Sequence, residues 1–459
     1  MSVALLGFVG LVVLVVIKLL NSTDIPKING LVELPGIPIF GNLLQLGSSH
    51  ANACRVLAAR YGPIFQLRLG NRRFVYVNSF DATYLPSIDL ETTTNAKDIQ
   101  AMSKEGMDVD PTLYFQRSSL NMALRVSYGF RLKGAVTDER IREVVDVERE
   151  LSLLRGIAHC WQDYIPIMRL WPGYRTHAIR LRDRRDSYLG QFFKQLKHRV
   201  SAGTDVPSIT GNMMKDPEAK LSDGKLYEVK TVSLSMVAAG LDTLPSNINM
   251  AIAYLSSAHG QEIQQRAFNE LQKVYPDGSG WRECLQAEHC EYLMALVKEN
   301  LRYWSTFNLS IPRVGIKAIE YKGVTFPADT PFVMNVFAAN HDDSRFEKPE
   351  AFNPERYLAG AKTGLQHLSY GAGSRACPGD HLANRQLYVI LTRLILAFRI
   401  HEAADSKMRP VLDPIACSSV TTGMVTQPNP FKVRFVARDE HQLAAWVQDS
   451  VQRTAAFDI

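Results

Sequence analysis

YGAGSRACPG, residues 370–379, presents one cysteine, Cys377, from a glycine-rich loop. Gly371 and Gly373 let the backbone turn tightly and approach a flat ligand closely. Pro378 follows at once, and residues 380–398 (DHLANRQLYVILTRLILAF) carry helical patterning, so Cys377 is expected at a helix N-terminus. The dipole and free amides of such a terminus favour an anion, which suits a thiolate acting as metal ligand or nucleophile. A loop cysteine packed as a small hydrophobe is the plainer reading of this residue taken by itself.

The chain has 459 residues, a length that alone suggests about three domains. Motifs spread along its whole length argue for one large domain instead. Hydrophobic content of 46% and charged content of 21% are those of a globular protein with a substantial core, and neither repeats nor disorder are signalled. The net charge of +6 is modest. The densest basic cluster, Arg180, Arg182, Arg184 and Arg185, is interrupted by Asp183 and Asp186, which describes a solvated helix face rather than a nucleic-acid surface. Cysteines at 54, 160, 284, 290, 377 and 417 form no CxxC pair and no secreted framework. Cys284, His289 and Cys290 come nearest to a zinc cluster but lack a second Cys/His pair nearby.

Residues 3–20 (VALLGFVGLVVLVVIKLL) form an apolar run that as a helix is about 27 Å long, enough for one membrane span. A cleaved signal peptide competes with that reading, but the basic leader and small-residue cleavage site are missing. Lys18 and Lys27 on the C-terminal side leave the body of the protein cytosolic. The expected organisation is a transmembrane anchor at 1–20, a proline-rich hinge at 21–45, and a catalytic domain at 46–459.

Within that domain, residues 63–78 alternate as a hairpin turning at Gly70 and Asn71. Residues 228–256 are expected to form a long buried helix containing AAGLDT, 238–243. Gly240 leaves a notch, Asp242 and Thr243 supply an acid and a hydroxyl, and Pro245 should kink or open the helix. A packing notch with a capping acid is the alternative for these residues alone. Glu299 and Arg302 in KENLR, 298–302, share a helix face and can pair. Residues 311–335 alternate as short strands turning at Lys322-Gly323 and Ala328-Asp329, and residues 421–435 read as a hairpin.

The 370–379 stretch resembles the heme-binding loop of the cytochrome P-450 superfamily, F-x-x-G-x-R-x-C-x-G, with Tyr370 in place of Phe. The thiolate ligation of heme in this family is itself a standard example of axial-ligand chemistry. AAGLDT resembles the family's A-G-x-D/E-T motif, and Glu299, Arg302 and Arg356 resemble its E-x-x-R triad. The resemblance implies a mainly helical fold with small β-sheets, an α-rich triangular prism behind an N-terminal transmembrane helix. It implies heme b (iron protoporphyrin IX) bound by Cys377, Arg375, Arg313, Tyr370, Gly373 and Gly379, with the cysteine as axial ligand. It implies Thr243 and Asp242 as the catalytic pair, and Ala239, Met424 and Val425 as substrate contacts, although Met424 and Val425 read equally well as plain core. The activity implied is insertion of one oxygen atom from O2 into a small organic substrate, with electrons from NADPH-cytochrome P-450 reductase, at the endoplasmic reticulum membrane.

Within the superfamily the chain looks most like fungal phenylacetate hydroxylases and their relatives in secondary metabolism. One departure stands out. The substrate loop and the helix carrying W-x-x-x-R are missing between about 78 and 95, and WPGYR at 171–175 comes too late in the order and contains Pro172 and Gly173. The second expectation is therefore a truncated relative with impaired heme binding and no activity.

Overall fold

The computed structural model describes residues 23–24, 26–27, 32–47, 50–61, 64–77, 80–156, 164–170, 172–215, 223–358 and 365–457. The apolar run at 3–20 lies outside the described residues. Among the described residues, no helix is long and apolar enough to cross a membrane. The chain divides into two compact units, residues 1–86 and 87–459.

In the first unit, helix α1 (His50–Tyr61) precedes the antiparallel hairpin of β1 (Ile64–Leu69) and β2 (Arg72–Val77), in the expected register with Gly70 and Asn71 at the turn. Alternation buries Phe65 and Leu67 with Leu34, Leu46 and Cys54 in a small core. The proline-rich stretch is tied to β1. Asn42 accepts from the Arg68 amide at 2.9 Å and donates to Pro35 O at 3.1 Å, and Glu33 bridges to Gln66.

Helix α2 (Phe80–Lys104) follows β2 after two residues. The second unit continues as α3 (Thr112–Tyr128), α4 (Glu139–Leu154), α5 (Pro172–Ala202), α6 (Ile209–Lys215) and the long α7 (Asp223–Ser256). Asp138 caps α4 by accepting from the Arg140 amide, and Ile141, Val144, Val145 and Glu148 fall on its buried side. Ile141, Val144 and Val145 join Leu120, Leu124, Phe192, Val237 and Leu241 in a core shared by α3, α4, α5 and α7. The arginine-rich stretch of α5 is solvated at Arg180 and Arg182, whereas Arg184 pairs with Glu143 of α4 and Arg185 is largely buried.

After α7 the chain turns sharply into α8 (Gly260–Val274), α9 (Gly280–Glu283) and α10 (Glu291–Tyr303). A Cβ on Gly260 would collide with the Tyr254 carbonyl, so this corner demands glycine. Strands β3 (Arg313–Val314) and β6 (Pro331–Phe332) pair antiparallel, as do β4 (Ile319–Tyr321) and β5 (Val324–Phe326). Lys322, Gly323 and Asp329 take positive φ at the two turns read from the sequence. Then come α11 (Val336–Asn340), α12 (Asp380–Ala397) and β7 (Phe398–Glu402), which pairs with β8 (Val433–Ala437). The mainly helical fold with small sheets is thus as expected.

The hairpin expected at 421–435 is not formed. The chain instead doubles back earlier, around an antiparallel bridge of Ser418 with Pro428 flanked by Ser419 N to Gln427 O at 2.8 Å and Asn429 N to Cys417 O at 2.7 Å, and the 433–437 strand takes β7 as its partner. A further helix, α13 (Glu440–Thr454), was not anticipated. Its signal was present: Asp439 caps it, and Leu443, Val447, Ser450 and Thr454 recur on one buried face. Trp446 stacks on Trp281 with centroids 5.3 Å apart and planes 8° from parallel. Ser450 accepts from the Trp281 indole at 3.0 Å. Buried Asp89 accepts from Arg393 of α12 at 2.7 Å and from Arg453 of α13 at 2.8 Å. Trp446→Ala should lower stability by about 2 kcal/mol, read as a reduced urea midpoint at unchanged slope. An unchanged midpoint would show that α13 contributes no stabilising contact through this ring.

Candidate active site

The cysteine loop is built from the inside outward. Glu299 and Arg302 lie one turn apart on α10 with side chains fully buried. Both guanidinium contacts of Arg302 to Glu299 are 2.8 Å, Arg356 adds a third at 3.0 Å, and the Asn353 amide donates to Glu299 Oε1 at 2.7 Å. The expected triad is therefore present, with all its members in contact. Arg302 Nη1 also donates to Asn340 O at 2.9 Å, which fixes the end of α11.

From there the side chain of Asn340 holds the approach to the loop. Its Oδ1 accepts from the Leu368 amide at 2.7 Å, and its Nδ2 donates to Ser305 and Ser369. Ser369 in turn donates to Leu301 O at 2.6 Å. Tyr370 reaches Asn384 of α12 at 2.9 Å through its hydroxyl, and its carbonyl accepts from the Cys377 amide at 2.8 Å. Burial first, then Cys377 and Asp380 nearby, push the Tyr370 hydroxyl pKa up, so it remains a donor. Gly371 and Gly373 take φ of +76° and +69°, the left-handed turns for which the sequence kept glycine.

Cys377 is exposed. Helix α12 begins at Asp380 with Gly379 as its N-cap, so Pro378 precedes the helix rather than opening it. A Cβ on Gly379 would come within 3.8 Å of Cys377 Sγ. Arg375 in the loop and Arg313 on β3 are both exposed, and among the described residues neither side chain forms a hydrogen bond or ion pair. An exposed thiol with two uncommitted guanidinium groups fits a metalloporphyrin that carries two carboxylates.

The second half of the candidate site lies on α7. Ala239 is exposed, and Thr243, one turn later, donates through Oγ1 to its carbonyl at 2.8 Å. Against Gly240 lies Ala123 of α3, 3.7 Å from where a Cβ would stand, so this notch is used for helix packing. Asp242 is partly buried, with Glu148 of α4 among the charged groups that act on it. Burial first, and then neighbouring Glu148, raise its pKa to about 6.

Of the kink or opening expected at Pro245, an opening does not occur: α7 runs through the proline as one helix. Side chains reinforce the turn on both sides of the missing amide. Asn247 Nδ2 donates to Thr243 O at 3.0 Å, while Leu241 and Leu244 are packed in the interior. Of the expected substrate contacts, Met424 is half-buried and Val425 is buried beside Thr426. The Thr426 amide donates to Thr306 O at 2.8 Å and its carbonyl accepts from Ser246 at 2.6 Å. Val425 is thus core, tied to α7 through its neighbour.

Helix α10 supports both halves. Asn300 donates to Asn247 O of α7 at 3.0 Å, and two residues later Arg302 holds the support of the cysteine loop. Asn247, Asn300 and Asn340 were missed in the sequence because an asparagine in or beside a helix carries no spacing signal of its own. Arg175 of WPGYR lies exposed in the first turn of α5, and Trp171 lies outside the described residues.

The fold, the cysteine loop and the buried triad are those expected of the heme-thiolate class of proteins. The cytochrome P-450 family pattern matches residues 32–85 and 79–435, and the chain belongs to this family, as a monooxygenase. It is 43% identical to a phenylacetate 2-hydroxylase of Emericella nidulans over 99% of both chains. A 3-hydroxyphenylacetate 6-hydroxylase of the same organism is 31% identical, over 91% of this chain and 90% of that one. A cytochrome P-450 monooxygenase of Mycosarcoma maydis is 29% identical over 93% and 91%. Family membership implies a heme iron, a small organic substrate, dioxygen and a redox partner. The first of these comparisons runs over 517 positions against the 459 residues of the chain, a difference of 58.

Glu299→Gln should cost about 3–5 kcal/mol in urea unfolding, because Arg302 is left buried without its counter-charge. A loss below about 1 kcal/mol would overturn that account of the triad. Asp242 carries a folded-state pKa above its unfolded value, so the stability associated with its proton is lost as pH rises from about 4 to about 6. Asp242→Asn should therefore raise the melting temperature at pH 7.5 and not at pH 4. A gain of the same size at both values would exclude the ionisation as its cause.

Proposed function

We propose that the protein is a membrane-anchored heme-thiolate monooxygenase that hydroxylates a small aromatic acid of the phenylacetate type. One atom of O2 enters a C–H bond of the substrate and the other leaves as water. NADPH supplies two electrons through NADPH-cytochrome P-450 reductase, and two protons are consumed. The observation that carries this reading is an exposed Cys377 in a loop whose N-terminal approach, at Leu368 and Ser369, is hydrogen-bonded through Asn340 to the buried α10 cluster. The names of the two Emericella nidulans relatives support the substrate class.

Heme b is the cofactor of this reading, with Cys377 on the iron and Arg313 and Arg375 on the propionates. When bound, the heme supplies the activation of dioxygen. The chain's own residues orient and protonate. The hydroxyl oxygen of Thr243 retains lone pairs beyond its donation to Ala239 O, and Asp242 holds its proton up to about pH 6, well above an ordinary aspartate. The 3–20 run anchors the chain in the endoplasmic reticulum membrane, with residues 46–459 on the cytosolic side.

A second reading is a family member that binds heme poorly, because the stretch that ordinarily covers the porphyrin is deleted. It is favoured by the two family matches that meet at 79–85, where β2 passes into α2 after only two residues. Reduced protein treated with carbon monoxide separates the two. The monooxygenase reading expects a thiolate-type Soret band that Cys377→Ser abolishes. Absence of that band from the heme-reconstituted chain would overturn it in favour of the second.

A further inference from the structure

Helix α4 lies along the segment 422–427. A Cβ on Gly156, just past the end of α4, would stand 2.6 Å from the Thr422 carbonyl oxygen, and one on Gly423 would stand 3.4 Å from Leu153 Cδ2. One turn before Leu153, Arg149 donates through Nε to Gln427 Oε1 at 2.9 Å. Positions 149, 153 and 156 share one helix face, so these three contacts follow the segment in order. Gln427 is itself fixed, its carbonyl accepting from the Ser419 amide at 2.8 Å. Next to it, the Thr426 carbonyl accepts from Ser246 of α7 at 2.6 Å, and Ser246 stands three residues after Thr243. Two hydrogen bonds thus join Arg149 to the α7 turn that carries the acid and the alcohol.

The charge of Arg149 is left uncancelled. The residue is exposed, and among the described residues its Nη1 and Nη2 make no hydrogen bond or ion pair. The acids beside it on α4 are engaged elsewhere. Asp146 lies 3.8 Å from Arg142, Glu150 lies 3.9 Å from Arg184, and Glu148 accepts from Tyr188 at 2.6 Å. A guanidinium is planar, permanently charged, and matches the two oxygens of a carboxylate with paired N–H groups. With Nε held by Gln427, the edge formed by Nη1 and Nη2 remains for such a partner, and a side chain already held loses less freedom on binding. The other two uncommitted guanidinium groups of the candidate site, Arg313 and Arg375, are assigned above to the propionates. We propose that Arg149, oriented by Gln427, binds the carboxylate of the acid substrate and so selects an arylacetate over its neutral analogues. The identity of that acid rests on the monooxygenase reading.

Calorimetric titration of the full-length protein, with heme added, against phenylacetate and against phenylacetamide tests this. The wild type should bind the acid about five- to tenfold more tightly than the amide of the same shape, a ratio that narrows as salt is added. Arg149→Gln should bring the ratio to about one by weakening the acid alone. Arg149→Lys keeps the charge without the planar edge and should retain part of the preference. Gln427→Glu leaves Arg149 in place but gives it an internal carboxylate, and should abolish the preference as fully as Arg149→Gln. The same ratio in wild type and Arg149→Gln, or a wild type that does not prefer the acid, would overturn the proposal. Because the readout is binding, its failure is distinct from a missing thiolate-type Soret band in the same preparation, which would count against the monooxygenase reading.

Discussion

One carboxylate, Glu299, carries the geometry on which the candidate site depends. It sits fully buried between two guanidinium groups and a backbone amide, an arrangement that desolvation makes expensive unless every partner is in place. Such a cluster has one good geometry and many poor ones. It therefore brings α10, the Pro354–Tyr357 turn and the end of α11 to one register, and Arg302 extends that register to Asn340. The cysteine loop inherits its position through Asn340, Ser369 and Tyr370, each by a hydrogen bond of 3.0 Å or less.

The same helix serves the opposite half. Asn300 and Arg302 lie two residues apart on α10, and one contacts α7 while the other supports the loop. A site whose two halves share one rigid helix needs no mobile loop to register them. Helix α7 meets this by staying continuous through Pro245. The side-chain bonds of Thr243 and Asn247 flank the missing amide, and a fully packed turn resists opening more strongly than one lost hydrogen bond favours it.

Outside the family match, which ends at residue 435, α13 closes the far end of α12. Trp446 on Trp281 and the Asp89, Arg393 and Arg453 cluster tie α2, α9, α12 and α13 together through stacking and buried charge. The thiol end of α12 remains exposed while its other end is buried, so the helix joins a reactive surface to a fixed core.

Much of this was legible in the sequence. The loop glycines, Cys377, AAGLDT, the Glu299 and Arg302 spacing and the hairpin turns are local patterns, set by backbone sterics and helix periodicity within a few residues. They determined the helical class, the cysteine loop and the acid-alcohol pair. Only the tertiary structure decided what those residues face. Val425 turned into the core, β8 chose β7 over a hairpin partner, and Gly240 received Ala123. Those outcomes depend on which distant surfaces exclude water together, and that is a property of packing that no window of neighbouring residues contains.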